Sequence, residues 1–147
     1  MPHVEATTLV KSDIKRIWDI VSDMASYPKF MPNLTSVEIE ELHENTTISK
    51  WVTNIDGRVI AWRERDVFYP EQYRIEYTQL SGDLKKFEGK WQLSETPDGV
   101  HILLTAEFEF GIPMIAPLLN PLLRKKLREN CEGMLADIKK ICESSVY

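Results

Sequence analysis

The chain has 147 residues and a net charge of -5, from 18 Lys and Arg against 23 Asp and Glu, the length of one domain over 1–147. Apolar residues at 43% and charged residues at 28% exclude a disordered or collagen-like chain, and the acidic balance excludes a general attraction to nucleic acid. The longest apolar runs fall far short of the roughly 20 residues that a membrane-spanning helix needs.

The predicted elements begin with a strand over His3–Lys11, where Val4, Ala6, Thr8 and Val10 share one parity. Ser12 is placed to cap a following helix, with Asp13 in its first turn. Ile14, Ile17, Trp18, Val21 and Met24 recur at the spacing of one buried helix face. Tyr27-Pro28 ends that helix, because proline disfavours the helical conformation at the residue before it. Six strands are then expected over Thr35–His43, Thr46–Ile55, Arg58–Tyr69, Gln72–Leu80, Leu84–Ser94 and Val100–Phe110. Asp56-Gly57 is the sharpest turn signal, since a two-residue hairpin needs positive φ at both central positions. The tail from Pro113 reads as helix, with Asn120-Pro121 as N-cap and first helical position. Leu123, Leu127, Cys131, Met134, Ile138 and Ile141 form its apolar stripe.

Seven antiparallel strands and one long helix pack best as a curled sheet with the helix across its concave face, an α+β architecture. Alternation then predicts the lining. Tyr73, Tyr77 and Gln79 share one strand face, Phe87, Gly89 and Trp91 a second, and Ala106 and Phe108 a third. Small residues among large aromatic ones leave room for an apolar cavity. Cys131 and Cys142 stand about 16 Å apart along one helix, too far to pair. No Cys-x-x-Cys or His-x-x-x-His spacing suggests a metal site. No export leader is visible at the start, so a reducing cytoplasm is the expected compartment.

Three stretches carry a resemblance: Asp23-Met24-Ala25-Ser26-Tyr27-Pro28-Lys29-Phe30-Met31-Pro32; Trp62-Arg63-Glu64-Arg65 with Phe87-Glu88-Gly89-Lys90-Trp91; and Phe108-Glu109-Phe110-Gly111-Ile112-Pro113. Over nearly its whole length the sequence resembles the START-like, helix-grip (Bet v 1-like) superfamily. Within it, the chain is similar to the polyketide cyclase/dehydrase family of aromatase/cyclases and coenzyme Q-binding proteins. The resemblance implies a seven-stranded sheet wrapped around a long C-terminal helix, with short helices after the first strand. It also implies a deep cavity and no cofactor. In aromatase/cyclases the cavity directs aldol ring closure and dehydration of a poly-β-ketone. In coenzyme Q-binding relatives it holds a quinone unchanged.

The resemblance makes Arg65 the first candidate for catalysis. Its guanidinium offers fixed donors where an oxyanion develops, and its parity with Val59, Ala61 and Val67 favours an inward face. Tyr77 is the second candidate, with Tyr73 and Gln79 beside it to hold ligand carbonyls. Arg63 shares the parity of Arg65 and suits an anionic group near a cavity mouth, such as the phosphopantetheine of an acyl carrier protein. Trp51, Trp62 and Trp91 are candidates for stacking on a flat ligand, with Phe87 and Phe108 in the lining and Asn130 reaching across from the last helix. Leu34 stands where aromatase/cyclases tend to carry a tyrosine. Three readings stay open: a cyclase, a lipid or quinone carrier, and an interaction module using the basic residues Arg124, Lys125, Lys126 and Arg128.

Overall fold

The computed structural model describes residues 3–55, 57–109 and 116–144. The chain runs β1 (His3–Val10), α1 (Ile14–Ser22), a 3-10 turn over Met24–Lys29, β2 (Leu34–His43), β3 (Thr46–Ile55), β4 (Arg58–Tyr69), a 3-10 turn over Pro70–Gln72, β5 (Arg74–Gly82), β6 (Lys86–Thr96), β7 (Gly99–Glu109) and α2 (Ala116–Cys142). The strands form one antiparallel sheet in the order β1-β7-β6-β5-β4-β3-β2. The α+β helix-grip arrangement expected from the sequence is thus observed.

Local chemistry explains most boundaries. Asp13, not Ser12, caps α1: its backbone is extended and its carboxylate accepts a hydrogen bond from the Lys15 N–H at 3.2 Å. Tyr27-Pro28 lies within a 3-10 turn, where the buried Tyr27 hydroxyl donates to the Val21 carbonyl. Tyr73, in the left-handed region at φ 52°, closes the Pro70–Gln72 turn and delays β5 to Arg74. The α2 helix starts at Ala116, a full turn before Asn120-Pro121. Asn120 and Pro121 therefore lie inside the helix and are not its N-cap and first position. Asp56 and the stretch Phe110-Gly111-Ile112-Pro113 lie outside the described residues.

The core lies between the concave face of the sheet and the two helices. Ile17 and Val21 of α1, Leu135 and Ile138 of α2, and Ile102 and Phe108 of β7 are almost wholly buried. Each such side chain contributes roughly 1.5–3 kcal/mol by leaving water. The α2 helix packs on β1 and α1, and this anchors its C-terminal half while its middle turns face the open part of the sheet. Cys131 and Cys142 are both free and buried.

Candidate functional site

A cavity of about 330 Å³ lies between the curved sheet and α2. The sheet supplies Trp51 and Thr53 from β3, Ile60, Trp62 and Glu64 from β4, Tyr77 from β5, Phe87 and Trp91 from β6, and Leu104 from β7. The helix supplies Lys126, Leu127, Asn130, Cys131, Gly133, Met134 and Asp137, residues three or four apart that share one helix face. Arg58, Asn33 and Gly133 are exposed, so they mark where the cavity meets solvent.

Aromatic packing sets the wall. Trp51 and Trp62 stand opposite each other on β3 and β4, and their rings stack at 5.7 Å with planes 10° apart. Phe87 meets Trp62 edge-on at 5.4 Å, and Tyr27 packs against both Trp51 and Trp91 from behind. These contacts use up much of the indole surface on each other, in geometries that aromatic pairs prefer.

A polar seam runs through this apolar wall. The Trp62 Nε1–H donates to Glu64 Oε1 at 2.7 Å. The Thr47 and Ser49 hydroxyls donate to Asp66 Oδ2 at 3.0 and 2.5 Å, and the Trp51 Nε1–H donates to Ser49 Oγ at 2.8 Å. Glu64 is 3% and Asp66 0% exposed. Burial, and then the neighbouring Asp66 carboxyl, push the Glu64 carboxyl well above the usual carboxylate range. Burial likewise pushes the Cys131 thiol up to about 12, which keeps it protonated and unreactive on the cavity wall.

Tyr77 lines the cavity, but its hydroxyl donates to the Thr105 carbonyl at 2.7 Å. Burial above all holds its proton more tightly than in a free tyrosine. The phenol reaches Thr105 across Gly89, where a Cβ would stand 1.9 Å from the Thr105 oxygen and 2.7 Å from the Tyr77 hydroxyl. Gly89 therefore serves a close approach of side chain to main chain.

The structure brings six of the expected site residues to the cavity: Trp51, Trp62, Tyr77, Phe87, Trp91 and Asn130. The expected inward face of Arg65 is overturned, because Arg65 lies on the exposed face of β4. Arg63 is on that same outer face and forms an ion pair with Glu40 at 2.6 Å, so it is not at the cavity mouth. Tyr73 lies outside the cavity, edge-on to Trp18 at 5.9 Å. Gln79 donates to the Leu84 carbonyl at 2.7 Å and does not reach the lining. Phe108 is fully buried in the core and not at the cavity surface.

The reason is pairing. Ile55 pairs with Arg58, and so Trp51 with Trp62, Ser49 with Glu64 and Thr47 with Asp66. Directly paired residues share a face, so the even residues of β4 point inward with the odd residues of β3. Glu64, Asp66 and their hydroxyl partners are the functional candidates that parity on β4 alone had missed. The signal was in the hairpin, where the two-residue spacing between Ile55 and Arg58 aligns the two tryptophans.

Comparison with known proteins follows this geometry. Residues 10–135 match the model of the family described as polyketide cyclase / dehydrase and lipid transport. A putative polyketide cyclase of Streptomyces cyaneus is 23% identical over 113 residues, covering 72% of each chain. The ribosome association toxin RatA of Pseudomonas aeruginosa is 22% identical over 121 residues, covering 82% of this chain and 83% of its own. Among solved structures, a Thermus thermophilus protein superposes with a TM-score of 0.90 at 25% identity, covering 95% of each chain. The Zhui aromatase/cyclase of a Streptomyces species superposes with a TM-score of 0.89 at 20% identity, covering 99% of this chain and 95% of its own.

Proposed function

Since the chain belongs to the polyketide cyclase/dehydrase and lipid transport family, we propose that it binds a hydrophobic small molecule of the polyketide, quinone or lipid class between its sheet and α2. The observation that carries this reading is the cavity of about 330 Å³ walled by Trp51, Trp62, Phe87 and Trp91 and closed by Leu127 and Met134. An apolar cavity with a few placed polar groups is the usual form of a small-molecule site. The test is mass spectrometry of freshly purified protein, native and then denatured. A small hydrophobic molecule that travels with the native protein and leaves on denaturation is expected. If none is found, and no member of a panel of naphthoquinones, fatty acids and aromatic polyketides raises the melting temperature, the reading is wrong, because a ligand of the native state must stabilise it.

A second reading is aldol ring closure and dehydration of a poly-β-ketone in the same cavity, the chain being delivered by an acyl carrier protein in a cytoplasmic setting. It is favoured by the polar seam of Glu64 and Asp66, which sets proton-carrying groups in an otherwise dry wall. On this reading Arg65, being exposed, plays no direct part. Recovery of the poly-β-ketone still linear, with no new carbon–carbon bond and no loss of water, would argue for binding alone.

A further inference from the structure

Glu64 is the one carboxyl on the sheet side of the cavity wall among the described residues, and Asp66 stands directly behind it. Asp66 Oδ2 takes the hydroxyl protons of Thr47 and Ser49, whereas Asp66 Oδ1 is buried and receives no donor from backbone, amide or hydroxyl. Glu64 neighbours Asp66, two residues away on the same buried face of β4. Two carboxylates cannot bond each other without a proton, and a buried pair of bare charges would be costly. One proton between them joins the two carboxyls and leaves the pair with a single negative charge.

The hydrogen-bond inventory of this pair is lopsided. Four carboxyl oxygens offer roughly eight lone-pair sites. They receive the Trp62 N–H, two hydroxyls and the shared proton. The side facing the cavity is therefore rich in acceptors and has no donor to spare. Its complement is an O–H.

We propose that Glu64, backed by Asp66, is the specificity-determining group of the cavity and accepts a hydrogen bond from a hydroxyl of the ligand, so that the ligand is a flat, hydroxyl-bearing molecule of the phenol or enol class. This rests on the reading of the cavity as a small-molecule site and names the chemistry of its occupant. The aromatic lining of Trp62, Phe87 and Trp91 suits a flat ring system, and the cavity of about 330 Å³ is large enough for two fused rings.

The test is calorimetric titration at pH 7 with naphthalene, 2-naphthol and 2-methoxynaphthalene. The last two differ in whether the ring oxygen carries a proton. Wild-type protein is expected to bind 2-naphthol about tenfold more tightly than 2-methoxynaphthalene, the size of one ordinary hydrogen bond. In Glu64→Gln the amide oxygen still takes the Trp62 N–H, and the amide N–H groups serve Asp66 and the cavity. The preference should then fall to about twofold or reverse. Equal wild-type affinities for the two probes, or a tenfold preference that survives in Glu64→Gln, would overturn the proposal. Wild-type titration alone decides if Glu64→Gln does not fold. Absence of binding by all three probes would instead strike the small-molecule reading itself, and this inference with it.

Discussion

At the scale of single residues, two positions separate fold from site. Gly89 has no room for a side chain, because Thr105 and the Tyr77 hydroxyl occupy the space a Cβ would need. Gly89→Ala should cost at least about 2 kcal/mol, within the range of overpacked cores, measured by urea unfolding. A loss below about 0.5 kcal/mol would mean that the Tyr77–Thr105 contact is absent in solution. Arg65 is the opposite case. It is exposed, so Arg65→Ala should change stability by less than about 0.5 kcal/mol and leave the affinity for a cavity ligand unchanged. Both outcomes are read by thermal shift with and without ligand. A Glu-Arg motif on a strand names two residues of opposite faces, and the motif itself does not say which one points inward.

At the scale of elements, α2 has two jobs that its sequence keeps apart. Leu135 and Ile138, at 1% and 0% exposure, hold it against the core. Leu127, Asn130 and Met134 face the cavity. Leu135→Ala should therefore destabilise by about 2–5 kcal/mol, seen as a shift of the urea midpoint with little change in slope. Met134→Ala should alter ligand binding more than it alters stability, because Met134 already borders an open space. The apolar stripe of this helix was legible at the i, i+3, i+4 spacing. The division of that stripe into core and cavity was not, since both parts are apolar and both lie on the side facing the sheet. The β3–β4 hairpin shows the same limit. Its strands and turn could be read from alternation and from Asp56-Gly57, while its inward face required the pairing of Trp51 with Trp62.

At the scale of the whole molecule, stability should carry the signature of the buried carboxyl pair. Glu64 has its pKa raised in the folded state, chiefly by burial, from an ordinary value of 4.5. Below about pH 4.5 it is protonated folded and unfolded alike, and it adds no pH dependence. As pH rises above that, the unfolded chain releases this proton and the folded chain keeps it. Stability then falls by up to about 1.4 kcal/mol per pH unit until the raised folded pKa is passed. Glu64→Gln removes that proton from the balance. The stability difference between Glu64→Gln and wild type should therefore move in favour of Glu64→Gln as pH rises from 5 to 8, measured by urea unfolding at each pH. A difference that stays flat over this range would show that Glu64 ionises normally in the folded protein.

The sequence by itself determined the order of the elements, the antiparallel sheet and the helix that crosses it, because alternation, helical spacing and turn residues act locally. Only the tertiary structure decided what faces the cavity. A strand offers two faces, and local pattern could not choose between the arginines and the carboxylates of β4, which carry charge on both. The choice was made by the neighbouring strand, whose Thr47 and Ser49 hydroxyls supply hydrogen bonds to Asp66 and whose Trp51 stacks on Trp62. Those partners lie 11 to 19 positions away along the chain and meet only when the hairpin closes.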